Sequence, residues 1–140
     1  MATRSRIALE LNDGSVKSVY CHWDGYPQNN GRILQENYQS LEKVEKLIGL
    51  GTLSYLAEEL EAPDGASHSF ESPISGVTVA YHRDRGEDYD PPRKNTSRSE
   101  FIKSDVEEYG YLFTKEGEWL LIDGHRSFSN RTTLPLTEVL

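Results

Sequence analysis

The sequence predicts a single α+β domain over 1–140, with a mainly antiparallel sheet built from two hairpins plus a further strand and helices packed on one face. Three observations predict it. Apolar residues alternate with period two around two turn signals, Asp13-Gly14 and Glu116-Gly117. Between 30 and 61 the apolar spacing lengthens to that of helices. Ser97 followed by Glu100 has the spacing of a capping box that opens one more helix before the second hairpin.

The opening "RSRIALELNDGSVKSVYCHW" reads as the first hairpin, Ile7, Leu9 and Leu11 alternating with Arg6, Ala8 and Glu10. In its second strand Val19, Cys21 and Trp23 fall on one face, and Ser18, Tyr20 and His22 on the other. The expectation is that the thiol and the indole of Trp23 point into the core together, with the imidazole facing away. "DGYPQNNG" then ends the strand with Gly, Pro and Asn.

Ile33, Leu34 and Tyr38 predict a short helix, and Leu41, Val44 and Ile48 a second one with Ser40 as its cap. Leu53, Leu56, Ala57 and Leu60 stand at i, i+3, i+4 and i+7 and predict a third, capped by Thr52 and ended by Pro63-Asp64-Gly65. Residues 62–76 read as a loop rich in Ser, Pro and Gly, and Val77, Val79 and Tyr81 as a strand. The stretch 89–98 has no periodicity and reads as a mobile loop. The helix opened by Ser97 places Ile102, Val106 and Tyr109 on one face and stops at Gly110, and "YLFTKEGEWLLID" forms the second hairpin with Trp119, Leu121 and Leu112 toward the core. No element is assigned to the tail at 126–140.

Composition narrows the function classes. With 15 Lys and Arg against 23 Asp and Glu the net charge is −8, which opposes attraction to a phosphate backbone, so no direct nucleic-acid binding is expected. No apolar run is long enough for a membrane span and "MATRSRIALE" lacks the core of a secretory signal, so no membrane association is expected and a cytosolic chain is. One cysteine makes neither an internal disulfide nor a multi-cysteine metal site.

Three groups carry candidate chemistry. Cys21 beside His22 suggests a nucleophile and its base, but neighbours on a strand point to opposite faces, so the pair is a poor dyad and the thiol reads as packing. His22-Trp23-Asp24 and His82-Arg83-Asp84 repeat His-x-Asp at two predicted strand ends, a spacing that offers an imidazole and a carboxylate to one cation; two pairs make four ligands. Against this, Asp24 precedes a glycine as turn-starting aspartates do, and Asp84 sits between two arginines that would pair with it. Arg4, Arg6, Arg83 and Arg85, with Tyr20, His22 and Tyr26, would form a polar face suited to a phosphate or nucleotide if their strands meet. Surface ion pairs of Arg4 and Arg6 with Glu10, Asp84 or Glu87 are the plain alternative.

At "TRSRIALELNDGSVKSVYCHWDGYP" the chain resembles a family of small bacteriophage proteins that begin with a T-R-S-x-I strand, an acidic-Gly turn and a Y-C-H-W-D-G-Y stretch. The likeness extends through "NGRILQENY", "RDRGED" and "EEYGYLF", and matches nothing at 89–98 or after His125. The resemblance implies expression in the cytoplasm of a bacterial host and carries no catalytic residue over. Small non-virion phage proteins commonly act by binding.

The leading expectation is therefore a non-enzymatic accessory protein, for host takeover or anti-defence, that binds a bacterial protein or defence complex stoichiometrically through Arg4, Arg6, Tyr20, His22, Asp24, Tyr26, Arg83, Arg85 and Glu87, with no catalytic residue, resident metal or cofactor assigned. An alternative is a sponge for an anionic nucleotide held by Arg4, Arg6, His22, Arg83 and Arg85, across a homo-oligomer interface if need be. A third is a metal-dependent hydrolase using the two His-x-Asp pairs.

Overall fold

The structure, a computed structural model, describes residues 2–140. Asp13-Gly14 closes the first hairpin as expected: β1 (Ser5–Glu10) and β2 (Val16–Cys21) pair antiparallel, Gly14 takes φ +88, and the Asp13 carboxylate accepts from both Ser15 N and Ser15 Oγ. The second hairpin, β6 (Tyr109–Phe113) and β7 (Trp119–Asp123), turns at Glu116-Gly117. The two join directly, β1 lying parallel to β6 with Ile7 opposite Tyr111. Short strands β3 (Leu53–Tyr55), β4 (Val79–Ala80) and β8 (Thr133–Pro135) complete the order β4-β3-β2-β1-β6-β7-β8, while β5 (Arg93–Asn95) pairs with the first half of β2.

Because the sheet is covered on both faces, its central strands are apolar on both sides. One face carries Ile7, Leu9, Val19, Cys21, Tyr111, Phe113, Trp119 and Leu121 under α1 (Arg32–Asn37), α2 (Leu41–Gly49) and α5 (Leu136–Val139). Here Trp119 Nε1 donates to the Tyr38 carbonyl at 2.8 Å, and Tyr38 Oη donates to the Ala57 carbonyl at 2.7 Å. The opposite face carries Ala8, Val16, Leu112, Leu120 and Ile122 against Phe101 and Val106, the former from α4 (Arg98–Lys103).

Four local expectations give way. Leu53 to Leu60 is not a helix: Leu53 pairs with Cys21 in β3, and Leu56, Ala57 and Leu60 are buried along irregular chain held by Thr78, whose hydroxyl accepts from Ala57 N and donates to the Ala57 carbonyl. The strand read at Val77–Tyr81 shortens to β4, and Tyr81 begins α3 (Tyr81–Arg85), whose end Gly86 closes at φ +79. The helix at Ser97 stops at Lys103, and Gly110 lies inside β6, where Val106 packs onto it so closely that an added Cβ would come within 2.9 Å. Segment 89–98 holds a strand where a loop is expected: β5 joins the sheet, Tyr89 Oη donates to the Gly49 carbonyl, and Thr52 Oγ1 donates to Asp90. The tail also has structure, since β8 pairs with β7 and α5 buries Leu136.

Among the described residues, no helix is long and apolar enough to cross a membrane.

Candidate functional site at the end of the second strand

Strand β2 runs out at Cys21, and its last residues divide by face. The Cys21 side chain is fully buried, its Sγ donating to the Trp23 carbonyl at 3.8 Å and accepting from Asn30 Nδ2 at 3.6 Å, and burial pushes the thiol up to about 11. A thiol held neutral with those partners is a packing residue. Trp23 departs from the expectation: it is 42% exposed rather than in the core with Cys21. The alternation ends with the strand, because Trp23 N already follows β3 to the Ser54 carbonyl at 2.9 Å and Asp24 takes φ +56.

Close backbone packing fixes the turn beyond Asp24. Gly25 N donates to the Thr3 carbonyl at 2.8 Å, its own carbonyl accepts from Tyr111 Oη at 2.6 Å, and a Cβ on it would stand 2.6 Å from Ser5 Cβ. Tyr26 is thereby presented at the surface, 40% exposed, and Asp24 is exposed with its carbonyl held by Asn29 Nδ2 at 3.0 Å. On the other face Tyr20 Oη and His22 Nδ1 are hydrogen-bonded at 2.7 Å, and the imidazole meets the Trp23 ring edge-on with centroids 4.7 Å apart. Tyr20, His22 and Trp23 thus form a run of neighbouring rings, and Tyr26 is displayed on the turn that follows.

The arginines predicted to share one polar face are divided. Arg83 is consumed internally: Nε and Nη2 hold both oxygens of Asp84 at 2.9 and 3.0 Å, and Nη1 and Nη2 donate to the carbonyls of Leu60 and Thr78. Arg85 lies over the Phe70 ring and pairs with Glu87 at 3.3 Å, two exposed groups in a local surface contact. Neither joins Arg6, because Arg83 and Arg85 stand on a helical turn rather than on a strand beside β1. The same change undoes the symmetry of the two His-x-Asp pairs. Asp84 is buried, its side chain 4% exposed, and accepts from Arg83 and from Ala80 N, with His68 Nε2 3.6 Å away. His82 faces outward instead, bonded to the Glu87 carbonyl. Among the described residues, no group of three or more His, Cys, Asp or Glu side chains is placed to hold a metal ion.

Arg4 and Arg6 make none of the surface ion pairs read for them. The carboxylates offered as partners are engaged elsewhere, Glu10 by Arg98 at 2.6 Å, Asp84 by Arg83 and Glu87 by Arg85. Arg4 is exposed and contributes its backbone, its N–H donating to Glu108 and its carbonyl accepting from Glu108 N. Arg6 opposes Tyr20 in the β1–β2 ladder and leans onto Ser18, Nε donating to Ser18 Oγ at 2.8 Å. Beyond Ser18, in register on β5, stands Arg93, whose Nη1 and Nη2 donate to the Asp105 carbonyl and Ser104 Oγ. Burial, and then the charge of Arg93, push the Arg6 guanidinium down to about 10. Burial, and then the like charge of Asp105, raise the Glu107 carboxyl nearby, on a residue with φ +64. Sequence reasoning misses Arg93, Asp105 and Glu107. Arg93 falls in the aperiodic stretch whose pairing with β2 has no local signature, and Glu107 reads as part of a helix.

Compared with protein-family models, with curated proteins and with solved structures, the chain matches none.

Proposed function

We propose that this chain is a phage accessory protein that acts in the cytoplasm of a bacterial host by stoichiometric binding to a bacterial protein or complex, with the aromatic edge Tyr20, His22, Trp23 and Tyr26 as the contact. The observation that carries the reading is the pair of exposed rings, Trp23 at 42% and Tyr26 at 40%, on backbone that is already fixed. Large aromatics held rigid lose little entropy on association and are the side chains most often found at the energetic centre of protein interfaces. The state of the groups that suggested catalysis supports it too: the thiol is sealed in the core and Asp84 is fully engaged by Arg83 and Ala80 N. The likeness of "YCHWDGYP" to phage proteins supplies the host, and a net charge of −8 suits a partner whose own surface is basic, such as one that normally holds nucleic acid.

The test is affinity capture from phage-infected bacteria with the tagged chain and its Trp23→Ala variant. One partner recovered in a fixed ratio by the wild type, and reduced at least about tenfold by a variant that keeps the wild-type circular dichroism, is the expected result. Equal recovery by both would exclude this edge as the contact, and no recovered partner would count against binding as the mode of action.

A further inference from the structure

Arg6 and Arg93 are both half-buried, they flank Ser18 on one sheet face, and among the described residues no acidic side chain comes within 4.0 Å of either guanidinium. In a chain with 23 acids and 15 bases this is conspicuous, because half-buried guanidiniums normally touch a carboxylate, and here Asp90, Asp105 and Glu107 act on Arg6 only from beyond ion-pair distance. Their hydrogen bonds go to neutral oxygens only, and they leave donors over: Arg93 Nε is buried without a partner, and Arg6 uses Nε fully and Nη2 weakly, at 3.4 Å, with no protein acceptor for Nη1. Other arginines here do find carboxylates, Arg98 gripping Glu10 with both Nε and Nη2. The site continues into the aromatic edge, since Tyr20 lies opposite Arg6 and hydrogen-bonds His22.

We infer that Arg6, supported by Arg93 and bordered by Tyr20 and His22, is a receptor for a single carboxylate presented by the bound bacterial protein, an Asp or Glu side chain or a chain terminus. A guanidinium fork matches the planar, two-oxygen geometry of that group. Charge number favours it over a phosphate. Asp90, Asp105 and Glu107 lie within electrostatic reach of Arg6, three carboxylates around two guanidiniums, so a singly charged carboxylate meets less repulsion there than a phosphate dianion does. The inference rests on the binding reading above and specifies one chemical feature of the partner.

Two measurements test it on the full chain. In the first, the Arg Nε–H resonances are followed by NMR during titration with the peptide acetyl-Gly-Glu-Gly-amide, its Gln counterpart and inorganic phosphate at constant ionic strength. Saturable shifts at Arg6 and Arg93 with the Glu peptide alone are expected, those at Arg93 abolished in Arg6→Gln and weakened in Arg6→Lys. No saturable shift with the Glu peptide, or equal shifts with the Gln peptide, would overturn the site; a response to phosphate alone would overturn it in favour of an anionic nucleotide. In the second, Arg6→Gln is added to the capture experiment, with about a tenfold loss of partner expected for one charge-assisted fork. Unchanged capture by Arg6→Gln beside lost capture by Trp23→Ala refutes the carboxylate receptor and leaves the aromatic edge standing. Unchanged capture by both refutes the edge itself.

Discussion

His22-Trp23-Asp24 and His82-Arg83-Asp84 have the same spacing and opposite fates. The first lies where a strand ends, with Asp24 at φ +56, its side chain in solvent and its neighbouring rings displayed. The second straddles the first turn of α3, where Asp84 turns inward, is almost wholly buried, and organises Arg83, Ala80 N and His68 around itself. One tripeptide pattern therefore serves display in one place and architecture in the other. Backbone context decides which: the first runs out of a strand into a left-handed turn, and the second winds into a helix, where i and i+2 diverge.

The largest expected effect sharpens the architectural side. Asp84→Ala leaves the Arg83 guanidinium without its carboxylate and Ala80 N without an acceptor, a loss of about 3–5 kcal/mol, read from urea unfolding. The effect depends on pH. Burial alone would raise the Asp84 carboxyl, but the Arg83 and Ala80 hydrogen bonds and the charges of Arg83 and His68 outweigh it and hold the group below its ordinary 3.8. A carboxylate depressed in the folded state stabilises above its unfolded value and loses that contribution as pH falls through the folded one. The stability gap between wild type and Asp84→Ala thus narrows below about pH 4, as the carboxylate takes up its proton. A gap that widens below that pH would contradict the network.

A middle-sized effect breaks the display side at its support. Gly25→Ala drives a methyl group to 2.6 Å from Ser5 Cβ and 2.9 Å from the Thr3 carbonyl, so about 1–3 kcal/mol is lost and the Trp23 fluorescence of the folded protein changes as the turn moves. The smallest effect belongs to the partner of the comparison. Asp24→Gly removes an exposed carboxylate and replaces a strained left-handed residue with one at ease there, leaving the urea midpoint within about 0.5 kcal/mol of wild type. A cost near that of Asp84→Ala would erase the distinction between the two pairs.

The hairpins are legible in the sequence because their information is local: a turn dipeptide and alternating apolar residues on either side. The same holds for Ser40 and Ser97, whose hydroxyls accept from Lys43 N and Glu100 N as cap residues do. The failures are non-local. Leu53, Leu56, Ala57 and Leu60 imitate a helical stripe, but their burial comes from Cys21, Thr78 and Tyr38, partners distant in the chain. Gly110 resembles a helix stop and is instead the gap in β6 into which Val106 fits. At the candidate site the inward thiol and outward imidazole are readable from strand alternation, while the exposed indole is not, because alternation lapses where the strand does. Arg93 meets Arg6 through β5, a pairing that no short window of sequence contains.

The parallel seam between β1 and β6 sets the order in which the molecule can be made. Ser5 to Leu9 leave the ribosome long before the strand that completes them, Tyr109 to Phe113. Until then the nascent hairpin has one edge of apolar backbone without its mate, at translation rates for several seconds. The seam therefore closes only after residue 113 has cleared the exit tunnel.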